Sequence, residues 1–180
     1  MKMSSGKILI LWILVMTASC SNTAITAYQA ESPAMDIREY FDGPIEAWGF
    51  VQDWKGEVIQ RFDISMTGSW DGNVGTLEEE FRYYSGQVDH RTWTLTRLDD
   101  GRFQGAAGDV VGTAEGFMAG NAVNMKYRLE IPRGDGTLVL NMDDWMWLMN
   151  DGVVINRTKM KKFGLKVGEV TVFMRKLESQ

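Results

Sequence analysis

The sequence predicts an all-β protein, an up-and-down antiparallel barrel of about eight to ten strands. Three observations lead to this prediction. Asx-Gly pairs and related turn signals recur about every fifteen residues from residue 36 onward. Apolar and polar residues alternate between these turns, and no segment after residue 41 has the apolar spacing of an amphipathic helix. At 180 residues the chain is long enough to bury a substantial core as a single domain.

The predicted strands have one apolar and one polar face. Segment 123–131 has an apolar residue at every second position, and segments 58–66, 77–83 and 170–174 largely follow the same rule. A long meander has to protect its edge strands, and closing the sheet does so, as in a lipocalin. A two-sheet sandwich is the alternative, because periodicity alone does not separate it from a barrel. The polar face is crowded with charged side chains, which argues against a barrel that faces lipid.

The first 19 residues have the features of a secretory signal. Residues 1–7 carry two lysines and no acid, and an unbroken apolar run follows at 8–16. This run is much shorter than the roughly 20 residues that span a bilayer, so we do not expect a transmembrane helix. Small residues then lead to the single cysteine of the chain. We therefore predict a lipoprotein signal peptide over residues 1–19.

Cys20 stands where a lipoprotein signal would be cleaved, in a Thr-Ala-Ser-Cys sequence that resembles a bacterial lipobox. Acylation of Cys20 would hold the protein at a membrane, since two or more acyl chains give stable anchoring. Ser21 after the cysteine resembles the signal for sorting to the outer membrane. The alternative is an ordinary secretory signal with an unrelated cysteine. Residues 20–35 are predicted to be the lipidated Cys and a flexible tether, and residues 36–180 the barrel domain.

Composition excludes several classes of function. The net charge is -5 with no basic stripe, so we expect no nucleic-acid partner. One Cys and one His exclude a disulfide framework and a zinc site with several Cys or His ligands, and we predict no metal and no cofactor. The Gly- and Ala-rich segment 105–120 lacks a phosphate-loop pattern and instead predicts tight strand curvature or a close approach by another group.

One predicted hairpin places charged residues on the inward face. A three-residue loop at 85–87 would pair Phe81 with Arg91 and Glu79 with Trp93, which keeps each face chemically consistent. Glu79 and Arg91 would then be diagonal neighbours inside the barrel. They would form either a structural ion pair or a polar contact that orients the headgroup of a ligand.

A second polar cluster interrupts the alternation. Asp143 and Asp144 stand side by side before Trp145 in a segment rich in Trp and Met. This departure predicts a bulge or a bend, with one of the two acids turned inward. Arg157 or Arg91 would meet that acid.

Several motifs are similar to those of a Gram-negative lipoprotein family that is catalogued only as a domain of unknown function. The resemblance covers residues 37–177. Its motifs include Leu77-x-Glu79-x-Phe81-x-Tyr83, Arg91-x-Trp93, Asp143-Asp144-Trp145-Met146, Asn156-Arg157-x-x-Met160 and Lys162-Phe163-Gly164. The resemblance implies a lipoprotein with a calycin-like barrel, and it implies no established activity.

We therefore expect a lipoprotein at the periplasmic face of the outer membrane that binds a lipid or another small amphiphile inside the barrel. The candidate ligand-binding residues are Glu79, Phe81, Arg91, Trp93, Asp143, Asp144, Trp145 and Arg157. The main alternative is a structural or assembly protein whose interior is filled. An enzyme that uses Glu79 with Asp143 or Asp144 is the third hypothesis, and we do not expect it, since the sole His90 lies on the predicted outer face.

Overall fold

A computed structural model describes residues 24–178, and its strands form a closed antiparallel barrel of ten strands. The strands are β1 (Gly43–Asp53), β2 (Val58–Asp71), β3 (Val74–Tyr83), β4 (Val88–Arg97), β5 (Arg102–Ala106), β6 (Ala114–Ala119), β7 (Ala122–Arg133), β8 (Gly136–Leu148), β9 (Val153–Lys162) and β10 (Leu165–Lys176). Each strand pairs with its neighbours in sequence, and β10 pairs with β1 to complete the ring. The barrel prediction is confirmed, and the sandwich alternative is wrong.

The Gly- and Ala-rich segment contains a connection that the turn signals do not reveal. Strands β5 and β6 are short, and the loop 107–113 joins them. This loop runs beside β7, where the Val111 amide donates to the Arg128 carbonyl at 2.9 Å and the Glu130 amide donates to the Asp109 carbonyl at 2.8 Å. The loop thus completes the barrel wall between β4 and β7 beyond the two short strands.

Alternating side chains build the core, as the pattern predicts. On β2 the buried residues are Phe62, Ile64 and Met66, and the residues between them face outward. Burial also alternates along the second half of β8, whereas the first four residues of β7, 122–125, are all buried. Apolar side chains from all around the ring meet in one interior.

One end of the barrel, the closed end, is covered by the chain before β1. The short helix α1 (Ile37–Tyr40) begins at Asp36, whose carboxylate accepts a hydrogen bond from the Arg38 amide at 2.8 Å. Ile37 in α1 and Phe41, the residue directly after this helix, are both buried at this end of the interior. The Phe41 carbonyl accepts a hydrogen bond from the Trp70 indole at 3.2 Å and lies so close to Gly68 that a Cβ there would be 1.6 Å from its oxygen. Only glycine allows this approach.

Residues 24–35 belong to the predicted tether. They begin on the outer wall near the closed end, and Met35 at their end is buried in the core. A 3-10 turn (Ile25–Tyr28) places the Tyr28 ring 5.7 Å from Trp145 and 6.3 Å from Trp147, measured between ring centroids. The Met35 amide donates to the Gly120 carbonyl at 2.8 Å. The predicted signal peptide and Cys20 lie outside the described residues.

The other end, the open end, is formed by the β1–β2, β3–β4, β7–β8 and β9–β10 turns and the loop 107–113. A second 3-10 turn (Asn150–Gly152) joins β8 to β9 at the closed end. Within residues 24–178 no helix is both long and apolar enough to cross a membrane.

Candidate ligand-binding cavity

The barrel encloses a cavity of about 780 Å³. Ile37 and Phe41 form its floor, and most of its walls are aliphatic, aromatic and Met side chains. Ile59 and Val167, which are exposed residues at the open end, also line it. The cavity therefore reaches solvent at the open end and is closed by α1 at the other. Its volume falls in the range of roughly 300–1,000 Å³ that is typical of small-molecule sites.

Two arginines line the cavity, the exposed Arg133 at the open end and Arg91 within the barrel. The Nη2 and Nε atoms of Arg91 donate to Oδ2 of Asp109 at 2.6 and 3.0 Å. On the other side, its Nη1 lies 3.9 Å from Oε2 of Glu79, and its guanidinium stands 5.4 Å from the centroid of Phe81. Arg91 thus connects β4 with β3 and with the loop 107–113.

Glu79 is almost fully enclosed, with 11% of its side chain exposed. Burial raises the pKa of Glu79 from its ordinary 4.5 to about 7, although the Arg91 charge opposes the shift. The nearby Asp109 and Asp144 carboxylates raise this pKa further. Within residues 24–178, Glu79 Oε2 and Asp109 Oδ1 are buried oxygens that accept no hydrogen bond. Both residues line the cavity, so its wall contains two carboxyl oxygens without a donor.

Asp144 forms a second polar group on the facing wall. Burial raises its pKa from 3.8 to about 6, although hydrogen bonds such as that from Asn156 oppose the shift. Tyr127 donates its hydroxyl to Asp144 Oδ2 at 3.4 Å, and burial together with the Asp144 charge raises the Tyr127 pKa well above 10. The Tyr127 ring meets Trp93 edge-on at 5.4 Å, which joins the two polar groups through an aromatic contact.

A family model described as "Protein of unknown function (DUF3833)" matches residues 14–176. The chain belongs to this family. No curated protein matches the chain significantly. The DUF3833 description carries no activity, so the function has to be argued from the cavity itself.

In this DUF3833 barrel the cavity brings together five of the predicted ligand-binding residues: Glu79, Phe81, Arg91, Trp93 and Asp144. The other three predicted residues, Asp143, Trp145 and Arg157, do not line the cavity. Asp143 pairs with Lys161 at 2.9 Å on the outer wall, and Trp145 stacks on Trp147 there. Arg157 bonds to Glu169 and meets neither acid.

The predicted bulge at Asp143 and Asp144 is also absent, because β8 pairs with β7 and β9 without a shift of register. One acid simply faces inward and its neighbour faces outward, as alternation requires. Although burial acts to raise it, the pKa of Asp143 is lowered by hydrogen bonds from Lys161 and Asn124.

The register of the β3–β4 hairpin differs from the prediction by two residues. Glu79 pairs directly with Arg91, and Leu77 pairs with Trp93. The reason is Gly86, whose φ of +94° places it at the last position of a three-residue loop rather than in the middle. The inward face is unchanged, since a shift of two residues preserves it.

The predicted site lacks several polar residues of the DUF3833 cavity, among them Tyr127, Asn156 and Asp109. Tyr127 and Asn156 occupy inward positions of recognised strands, so alternation could have found them. Asp109 lies in the loop 107–113, where no periodicity applies. Among residues 24–178, no cluster of three or more His, Cys, Asp or Glu side chains is arranged to hold a metal ion.

Proposed function

We propose that this DUF3833 protein binds a small amphiphile in the barrel, with its apolar chain among the aliphatic walls and its headgroup beside Glu79 and Arg91. The observation that carries the proposal is the apolar cavity of about 780 Å³ with convergent polar groups and an exit at the open end. A structural protein with a filled interior is disfavoured because this space remains.

The polar groups favour a headgroup that donates hydrogen bonds. Five acidic residues line the cavity against two arginines, and three of the acids, Glu79, Asp109 and Asp144, belong to the polar groups around Arg91 and Tyr127. Two of the carboxyl oxygens are buried without a donor. A hydroxyl, amide or amine would satisfy these oxygens, whereas an anionic headgroup would face three acids. We therefore propose a lipid or other amphiphile whose headgroup is uncharged or cationic.

Filling the cavity should abolish binding. The neutral fluorophore 1-N-phenylnaphthylamine serves as the probe, and dodecylamine, dodecanol and dodecanoate compete with it. Met142 is buried and lines the cavity, so Met142→Trp should weaken probe binding about tenfold or more. Met149→Trp is the matched control, because Met149 is exposed and lies outside the cavity. At about pH 8 we expect the amine and the alcohol to displace the probe better than dodecanoate.

Equal probe binding by the two Trp variants would contradict the proposal. The best-displacing headgroup class can then be compared with any molecule that remains bound to the purified protein, detected by native mass spectrometry.

A second candidate function is a carboxylate-based enzyme, because Glu79 and Asp144 share one cavity with pKa values raised to about 7 and about 6. A ligand recovered unchanged after incubation would support binding, and a chemically altered one would support the enzyme.

We also propose that Cys20 is acylated and anchors the protein to the periplasmic face of the outer membrane. The support is the sequence of residues 1–21 alone. In a Gram-negative host, radiolabelled palmitate should label the parent chain, and Cys20→Ser should remove the label. Ser19→Ala is the control and should retain it, since a small residue still precedes the cysteine. A labelled Cys20→Ser chain would contradict this proposal.

A further inference from the structure

The most exposed apolar side chains of the described chain all lie at the open end. Phe163 is 91% exposed, Leu165 72%, Trp54 67% and Ile59 63%. Val58 and Val167 belong to the same two hairpins, β1–β2 and β9–β10, which lie side by side because Asp53 pairs with Gly168. We call these six residues the apolar rim. Large apolar groups concentrated on one surface of a protein mark a contact with another body.

The turn at the tip of the β9–β10 hairpin has a backbone conformation that disfavours the bulky Phe163. Phe163 and Gly164 form its two-residue turn, with φ values of +50° and +81°. Such turns prefer Asn-Gly, because a bulky side chain is strained at positive φ. Phe163 therefore costs backbone energy and, being 91% exposed, recovers little of it from packing within the chain. A residue of this kind at the edge of a cavity points to a role in an external contact.

The charge around the rim differs from that of the whole protein. The β9–β10 hairpin contains Arg157, Lys159, Lys161, Lys162 and Lys166, although the chain has a net charge of -5. Glu169 pairs with Arg157 and Lys166, and Asp143 pairs with Lys161, so the basic residues outnumber the acids that they contact. Two rim aromatics each have a lysine over the ring, Lys162 at 5.1 Å from Phe163 and Lys55 at 5.3 Å from Trp54. Apolar tips with lysines behind them fit a bilayer interface, where the tips enter the lipid and the cations remain with the headgroups.

We propose that the apolar rim docks on the surface of an anionic phospholipid bilayer. Ile59 and Val167 belong to the rim and also line the cavity, so the rim continues the apolar walls outward to the membrane. A docked rim would give an amphiphile a path into the barrel that avoids water. This path rests on the proposed function, whereas docking itself is tested without it.

The test uses the chain from Ser21 onward, which retains every contact described above and lacks the apolar signal segment. Vesicles contain either phosphatidylcholine alone or one part phosphatidylglycerol to two parts phosphatidylcholine, and binding is measured by co-sedimentation. The parent should bind the anionic vesicles, and added salt should weaken binding. Replacing two lysines, Lys162→Gln with Lys166→Gln, should weaken it about 25-fold, since each lysine near an anionic surface contributes about fivefold.

Phe163→Asn separates docking from folding. Asn suits the turn, so this variant should unfold at the same temperature as the parent or higher, yet bind anionic vesicles about tenfold more weakly or worse. Phe117→Asn makes the same change on the outer wall, away from the rim, and should bind as the parent does. Equal binding by the two variants would overturn the proposal. Failure of the parent to bind anionic vesicles would overturn it in favour of a protein partner.

Ligand binding in the cavity and docking of the apolar rim can be contradicted independently of each other. Probe uptake is measured in solution without vesicles, and the vesicles are used without probe. Vesicle binding that depends on Phe163, combined with no probe uptake, would support docking and contradict the ligand-binding function. Probe uptake with no dependence on Phe163 in the vesicle assay would do the reverse.

Discussion

Arg91→Ala should lower the free energy of unfolding by about 3 kcal/mol at pH 8. The variant loses the charge-assisted hydrogen bonds to Asp109 and leaves Glu79 without its nearby cation. Arg82→Ala is the matched control, because Arg82 forms an exposed pair with Glu80 and an exposed hydrogen bond to Ser65, and its loss should cost less than about 1 kcal/mol. Urea unfolding followed by tryptophan fluorescence measures both.

The pH dependence identifies Glu79 as a source of this loss. Its pKa is raised from 4.5 to about 7 in the folded protein, so the folded state binds this proton more tightly than the unfolded state. Protonation of Glu79 therefore stabilises the folded protein. This stabilisation is fully present below about pH 4.5 and is lost as the pH rises through 7. Removing Arg91 raises the Glu79 pKa further, so the deficit of Arg91→Ala should be smaller at pH 5 than at pH 8. A deficit independent of pH would contradict this account.

A double variant provides the decisive comparison. Glu79→Gln removes the buried carboxylate, so Glu79→Gln combined with Arg91→Ala should recover about 2 kcal/mol relative to Arg91→Ala alone at pH 8. At pH 5 the same addition should change little, because Glu79 is then already protonated in the folded state. If the double variant were as unstable as Arg91→Ala at pH 8, Asp109 alone would account for the loss.

Gly68→Ala should be at least as damaging, with a loss of about 3 kcal/mol or more. The new Cβ would lie 1.6 Å from the Phe41 carbonyl oxygen, so the chain that forms the cavity floor has to move. That movement breaks the hydrogen bond from Trp70 and displaces Phe41 from the core. We expect a lower unfolding temperature and faster proteolysis between residues 36 and 42.

Gly136→Ala is the control for this substitution. Gly136 opens β8, has no positive φ, and a Cβ there would meet nothing within 4 Å. Its stability should change by less than about 0.5 kcal/mol. If the two alanine variants were equally stable, the close approach of Phe41 to Gly68 would not exist in solution.

The repeating part of this architecture can be read from the sequence, and the irregular part cannot. Alternation on β2 and β7 predicts their inward faces, because a strand has only two sides. The same rule places one of Asp143 and Asp144 inside, but it does not say which. Alternation could not identify Asp109, because it lies in the loop 107–113, which has no strand periodicity, and its contact with Arg91 joins distant parts of the sequence.

Closure of the barrel and the form of its ends depend on long-range contacts. The pairing of β10 with β1 joins residues more than a hundred positions apart, and no local pattern encodes it. The β3–β4 register depended on the place of one glycine within its loop. Phe163 stands in a turn that its side chain does not favour, so turn propensity gave no indication of its exposed position.

The packing of residues 24–35 near the closed end sets the orientation of a lipid-anchored chain. Three residues lie between Cys20 and Ala24, and the four residue steps of a fully extended chain span at most about 14 Å. Strand β8 alone has 13 residues, so the barrel stands about 30 Å tall at an ordinary strand tilt. If Cys20 is acylated as proposed, its acyl chains would therefore hold the closed end near the anchoring membrane and the open end away from it. A lipid that enters at the open end would then come from a different membrane surface.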